Sequence, residues 1–323
     1  MFVNPLSKDN FSDPFITYDE VTGYYYFLAS CQSNQMVIYR SKEIGQILKT
    51  GECKIVYECG KGGVFGPMWA PEMYKIGDRW YIYTSCRRVW DDNMFAEIKV
   101  PLILKSKTAD PFDGFEFGAK PDESIFAIDP SCTIVNGKQY ICYSRVNEEW
   151  VQVLDIRELS DPLTFTDRVA EISRPMLEWE LAEGYRGNRA INEGAFFLKS
   201  KGRLFIVYSA NGCWSDDYCL GVLEYVGGDI CASDSWKKHE KPLFCKGNGV
   251  FGVGHASFFT SPDGTEVWCA YHCLLHSNPA REEMDRHTCI QKISFDESGY
   301  PVMGDPVGIN VEIASPSGEK QSR

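Results

Sequence analysis

The sequence predicts an all-β protein, a single five-bladed β-propeller over residues 1–323. Three observations predict it. Helical signal is weak, because no window keeps apolar residues at i, i+3, i+4 and i+7 through three turns. Short runs rich in Tyr, Phe, Ile and Val recur instead, punctuated by Gly, Asn and Asp. And one hairpin pattern returns five times.

The pattern runs DPFITYDEVTGYYYFLAS from Asp13 and APEMYKIGDRWYIYTS from Ala70. It returns as DPSCTIVNGKQYICYS from Asp129, NEGAFFLKSKGRLFIVYS from Asn192 and GHASFFTSPDGTEVWCAYH from Gly254. Each copy opens on a small or polar cluster, continues as a strand, turns at a glycine (Gly23, Gly77, Gly137, Gly202, Gly264) and closes on an aromatic-rich strand. The turn glycines lie 54, 60, 65 and 62 residues apart, room for about four strands per repeat. A four-stranded unit repeated around an axis is a propeller blade, and packing blades in a ring protects their edges. Stretches 105–124 and 228–250 read as connections between blades, and residues 314–323 as a frayed polar tail.

Composition narrows the function classes. The net charge of -12 makes nucleic acid and anionic membrane poor partners and leaves small neutral or cationic substrates open. No run of eighteen apolar residues suggests a membrane-spanning helix. The segment MFVNPLSKDNFSDPF lacks a basic stretch followed by an apolar core, so no secretory signal is expected and a cytoplasmic location is. The thirteen cysteines are scattered without a C-x-x-C and read as reduced core residues. The 14% aromatic content suits both packed sheets and stacking on sugar rings.

At the starts of the five hairpins stand Asp13, Glu72, Asp129, Glu193 and His255. The innermost strands of a propeller start around one end of its channel, so these side chains are expected to converge on one pocket. One acid alone at such a position reads as a turn former. Several in register read as chemistry, because crowded carboxylates cannot all keep ordinary pKa values. Glu72 fits least well, since its offset differs from that of Asp13 and Asp129, and it reads equally as a backbone partner. A pocket holding one protonated and one ionised carboxyl suits glycoside hydrolysis. Phe65, Trp69 and Trp214 are the aromatic rings expected to bind substrate, and Gly194 is expected to leave room for it beside Glu193.

At these residues the sequence resembles glycoside hydrolase family 43. The matching segments are SDPFI at 12–16, WAPEMY at 69–74, IDPSCTIVNGKQYICYS at 128–144, NEGAFFLKSKGRLFIVYSANG at 192–212, GHASFFTSPDG at 254–264 and DRHTCIQKISFDESGYPVMG at 285–304. The resemblance implies a five-bladed propeller that inverts the anomeric centre, its two working carboxyls about 6.5–9.5 Å apart to admit a water. By the same resemblance Asp13 is the general base, Asp129 tunes and orients the proton donor, and Glu193 is the general acid. Arg286 contacts the glycone. His255 lies on the axis, beside a calcium ion or a water, and the chemistry itself requires no cofactor. The implied substrates are small plant-derived oligosaccharides ending in α-L-arabinofuranosyl or β-D-xylosyl groups, with arabinofuranosides slightly favoured. Ala195 departs from the proline many members carry after the Glu-Gly pair. No appended β-sandwich is expected, and the oligomeric state stays open.

Three other readings compete. A five-bladed fructosidase would need an Asn-Asp-Pro-Asn core, which SDPF lacks. A carbohydrate-binding propeller without catalysis would not need acids at three strand starts. Cys269, His272, Cys273 and His276 are close enough in sequence for a transition metal, but CAYHC alternates as a strand and divides them between two faces. His272 or His276 then belongs at the pocket rim.

Overall fold

The computed structural model describes residues 1–31, 33–60, 64–88, 98–119, 126–182, 189–279 and 285–320. Among them there is no α-helix, only short 3-10 turns between strands. Five antiparallel sheets of four strands follow one another along the chain. The first blade is Phe15–Asp19, Tyr24–Leu28, Gln35–Ser41 and Glu52–Glu58. The second is Val64–Ile76, Arg79–Arg88, Ile98–Ser106 and Phe115–Ala119. The third is Ile128–Val135, Lys138–Val146, Gln152–Asp161 and Thr164–Ser173. The fourth is Asn192–Ser200, Arg203–Ala210, Cys219–Tyr225 and Trp236–Lys238, and the fifth Phe251–Thr260, Val267–Leu274, His287–Phe295 and Pro301–Val302.

In each blade the chain's first strand is innermost, and each innermost strand touches those of the blades before and after it, closing the ring. The five hairpin glycines all adopt left-handed φ, from +64° at Gly77 to +78° at Gly137, which a Cβ would penalise. Second strands such as Tyr24–Leu28 and Arg203–Ala210 are buried almost throughout, because neighbouring blades cover both faces. Tyr25, Phe27, Phe259 and Trp268 fill the seam between the first and fifth blades, and Tyr140, Ile206, Tyr208 and Trp236 that between the third and fourth.

Two expectations are corrected. Residues 105–124 and 228–250 are not merely connections: they carry the outermost strands Phe115–Ala119 and Trp236–Lys238. An outermost strand packs little of its surface, so its apolar signal is faint; Phe115 is buried while Glu116 and Phe117 face solvent. Nor is the described part of the 314–323 tail frayed. Phe2–Val3 pairs with Glu312–Ile313, the N-terminal ammonium donates to Ser315 Oγ at 3.1 Å, and Glu319 Oε2 accepts from the Ile44 amide at 2.8 Å. Polar residues that look like tail in sequence are here tied to two blades: Glu319 accepts from a turn amide of the first, and Ser317 donates to the Asp263 and Glu266 carboxylates of the fifth.

Candidate active site

Each innermost strand has a residue at left-handed φ at a matching place in the repeat: Asp13 at +54°, Ala70 at +45°, Asp129 at +58°, Gly194 at +55° and His255 at +49°, the fifth strand carrying Gly252 at +53° as well. In the last four blades the strand ladder breaks register there. Four of the five residues are not glycine, and each pays conformational energy of roughly 1–3 kcal/mol to hold that geometry. This bulge corrects the alignment read from sequence. Ala70, not Glu72, matches Asp13, and Gly194, not Glu193, matches Asp129. Glu193 stands one residue before the bulge, level with Trp69, and Glu72 stands two residues beyond it.

Asp13 sits among cationic and imidazole groups. Its Oδ1 lies 3.2 Å from Arg286 Nη1, 3.2 Å from His272 Nδ1 and 3.3 Å from His255 Nδ1. Its Oδ2 accepts from Ser30 Oγ, and Ser30 Oγ accepts from the Ala70 amide at 2.8 Å, linking the first two strand starts. Burial alone would raise the Asp13 pKa; His255 and the permanent charge of Arg286 outweigh it and hold the carboxyl well below its usual range. His272 accepts from the Asp13 amide at 3.2 Å, and burial pushes its own pKa down to about 4, so the ring is neutral at physiological pH. Arg286 stays charged because Asp13 counters the effect of burial.

Asp129 and Glu193 are placed differently. The third and fourth blades lie across the five-membered ring from the first. Asp129 Oδ2 accepts from the Gly194 amide at 3.1 Å, so the two strand starts are joined. Glu193 Oε1 accepts from Tyr218 OH at 2.9 Å and Oε2 from Gln152 Nε2 at 2.7 Å. Burial raises the Asp129 pKa well above normal, with Glu193 and Asp13 adding to it against the Gly194 amide. Burial also raises that of Glu193, and Asp13 adds to the rise while Tyr218, Gln152 and Arg286 oppose it. The pair therefore keeps a proton at a pH where Asp13 has lost its own. Below, rings from four innermost strands meet: Phe15 lies 5.7 Å from Tyr74 and 6.4 Å from Phe196, which lies 5.6 Å from Phe258.

Asn192 fixes the strand carrying Glu193. It is fully buried, donates to Glu180 Oε1 at 3.0 Å and accepts from Ser173 Oγ at 2.7 Å. Gly194 does not leave space for substrate as expected, because a Cβ there would meet His255 Nδ1 at 3.0 Å and Ser209 Oγ at 3.1 Å. The glycine lets the fourth and fifth strand starts close on each other. Glu72 is buried away from Asp13 and accepts from Tyr74 OH, which also lies 3.1 Å from Ser131 Oγ; burial raises its pKa to about 8.

The three aromatic candidates are all half-buried. Trp69 has the Lys99 ammonium 3.6 Å from its ring centroid. Trp214 lies over Gly212, where any Cβ would strike its ring, and its carbonyl accepts from Asn278 Nδ2 at 3.3 Å. Phe65 pairs with Arg87 ahead of the second bulge. Among the described residues no group of three or more His, Cys, Asp or Glu could hold a metal ion. His255 turns Nδ1 toward Asp13 rather than toward a cage of oxygens such as calcium requires. His272 is not at the rim but fully buried behind Asp13, whereas His276 is exposed.

Sequence reasoning missed Tyr218, Gln152, Ser30 and Cys213. Tyr218 stacks on His272 at 5.4 Å and 3°, so one ring joins the Glu193 group to the Asp13 group. A Cβ at Gly254 would lie 2.2 Å from that ring. Cys213 is near enough to feel Arg286, Glu193, Asp13 and Asp129, and burial raises its thiol to about 12. Gln152, Cys213 and Tyr218 lie outside the repeated hairpin, Gln152 opening a third strand and Cys213 and Tyr218 between a second and a third. Only Ser30, at the end of a repeated Ser-closing strand, had a signal to find.

Comparison with known proteins bears on this arrangement. The model of glycosyl hydrolases family 43 matches residues 2–301. An extracellular exo-α-(1→5)-L-arabinofuranosidase of Streptomyces avermitilis is 31% identical over 96% of this chain, which spans 64% of that protein's length. One of the same name from Streptomyces chartreusis is 29% identical over 84% of this chain and 82% of its own. The crystal structure of an α-L-arabinofuranosidase from Lactobacillus brevis superposes with a TM-score of 0.85 at 25% identity, covering 96% of this chain and 98% of that one. Two of these relatives are named extracellular, which overturns the expectation of a cytoplasmic protein. An N-terminal stretch without a leader pattern was too little to fix a compartment.

Proposed function

The chain belongs to glycosyl hydrolases family 43, and from that premise we propose that it removes terminal α-L-arabinofuranosyl groups from small oligosaccharides with inversion of configuration. The observation that carries the reading is the split among the acids. Asp13 is held ionised by Arg286, while Asp129 and Glu193 keep a proton between them. Ionised Asp13 takes a proton from the water that attacks the anomeric carbon. Glu193 gives its proton to the departing glycosidic oxygen, and Asp129, tied to the Gly194 amide, keeps the donor's proton affinity high. Arg286 and the exposed parts of Phe65, Trp69 and Trp214 hold the sugar.

No step runs through a metal. A calcium ion beside His255 would act only through its charge on Asp13, and the same place suits a water. The names of the relatives favour arabinofuranosides over β-D-xylosides and an extracellular setting. Assays of 4-nitrophenyl α-L-arabinofuranoside and β-D-xyloside side by side test the reading. Preference for the arabinoside is expected; a preference for the xyloside reassigns the glycone, and hydrolysis of neither overturns the proposal.

A further inference from the structure

In each blade the innermost strand starts at the pocket and its glycine turn lies at the far end. The second strand therefore returns to the pocket face, and the turn between second and third strands stands on that face. In the third blade this turn joins Lys138–Val146 to Gln152–Asp161. It is tightly tied. The Asn147 amide donates to the Val151 carbonyl at 2.9 Å and the Trp150 amide to the Asn147 carbonyl at 3.0 Å. Asn147 Oδ1 accepts from the amides of Glu149 and Val151, both at 3.0 Å. Glu149 in turn pairs with Arg174 at 2.6 Å, anchoring the turn to the segment that leads into the fourth blade.

This braced turn lifts Trp150 into solvent at 81% exposure, on a left-handed φ of +61°. A bulky residue at positive φ costs energy, and an indole in water gains nothing from burial. Among the described residues no ring stacks on it. Two residues along, Gln152 bridges to Ile191 and donates to Glu193 Oε2 at 2.7 Å. The exposed ring thus stands on the turn whose next strand opens with the residue bonded to the carboxyl that would protonate the leaving oxygen.

We propose that Trp150 is a specificity-determining platform on which the sugar on the leaving-group side of the scissile bond stacks its apolar C–H face. The inference rests on the preceding reading of Glu193 as the acid. It assigns a chain-length preference to this turn: a substrate with a second sugar reaches Trp150, and one with a monatomic leaving group does not.

The test compares wild type, Trp150→Ala and Trp150→Phe on α-1,5-linked arabinotriose and on α-L-arabinofuranosyl fluoride, whose leaving group has no face to stack. The ratio of kcat/KM for trisaccharide over fluoride is independent of the fraction of active enzyme. Trp150→Ala is expected to lower that ratio about 3- to 10-fold, as for one aromatic stacking contact, and Trp150→Phe to keep it within about twofold of wild type. An unchanged ratio in Trp150→Ala, with wild type active on both substrates, overturns the platform alone. Wild type inactive on both overturns the reading of the site and the platform with it.

Discussion

Asp13 and Asp129 are the same residue type at the same left-handed position beside the channel, at φ +54° and +58°, both buried. Their charges go opposite ways. Asp13 has Arg286, His255 and His272 around it and is held ionised; Asp129 faces Glu193 and keeps a proton in its neighbourhood. The backbone repeat delivers an acid to the channel, and neighbours from outside the repeat decide what the acid can do. Arg286 comes from the segment before the fifth blade's third strand, and Tyr218 and Gln152 precede or open third strands. The repeat is thus a frame for placing groups, and the split between an ionised acid and a protonated pair is written between the repeats.

Removing either pole is the most damaging way to break the comparison. Asp13→Ala should lose about 10³-fold or more in kcat, partly restored by azide with inverted product. Glu193→Ala should lose about 10²- to 10⁴-fold on poor leaving groups and far less on activated aryl glycosides. Equal losses on both classes, measured by steady-state kinetics, would remove Glu193 from the acid's role. A smaller effect sharpens the origin of the difference. Arg286→Gln takes away the permanent cation beside Asp13, so its carboxyl should titrate higher. Activity needs Asp13 ionised and is lost as pH falls through its pKa, so the acid limb of kcat/KM should move up with it. The alkaline limb, where the Asp129–Glu193 pair gives up its proton, should move much less. Smallest is the effect of Glu72, in the second blade. Its pKa is raised from 4.5 to about 8, so the folded state binds the extra proton between those values and stability falls as pH rises through that window. Glu72→Gln should flatten this part of the pH profile of Tm.

Much of the fold was legible because the hairpin repeats with its glycine in the same place, and aromatic-rich second strands lie where blades press together. The outermost strands were not, since Phe115–Ala119 and Trp236–Lys238 bury too little to show a period. Asp13, Asp129, Glu193 and His255 could be found because strand starts converge whatever their sequence separation. Their exact register could not. A bulge inserts a residue without any compositional mark, so Glu72 passed for a match to Asp13 when Ala70 is the true one. His272 looked like an ordinary strand residue because strand alternation says which face it takes, not that Asp13 waits there at 3.2 Å.

In the proposed reaction a water on Asp13's side and a proton on Glu193's side act on opposite faces of one sugar. ¹H NMR of the first-formed sugar from an α-L-arabinofuranoside, followed before mutarotation, tests that directly. β-L-arabinofuranose is expected as the initial product; initial release of the α anomer would contradict inversion, and would make Asp13 a nucleophile rather than a base.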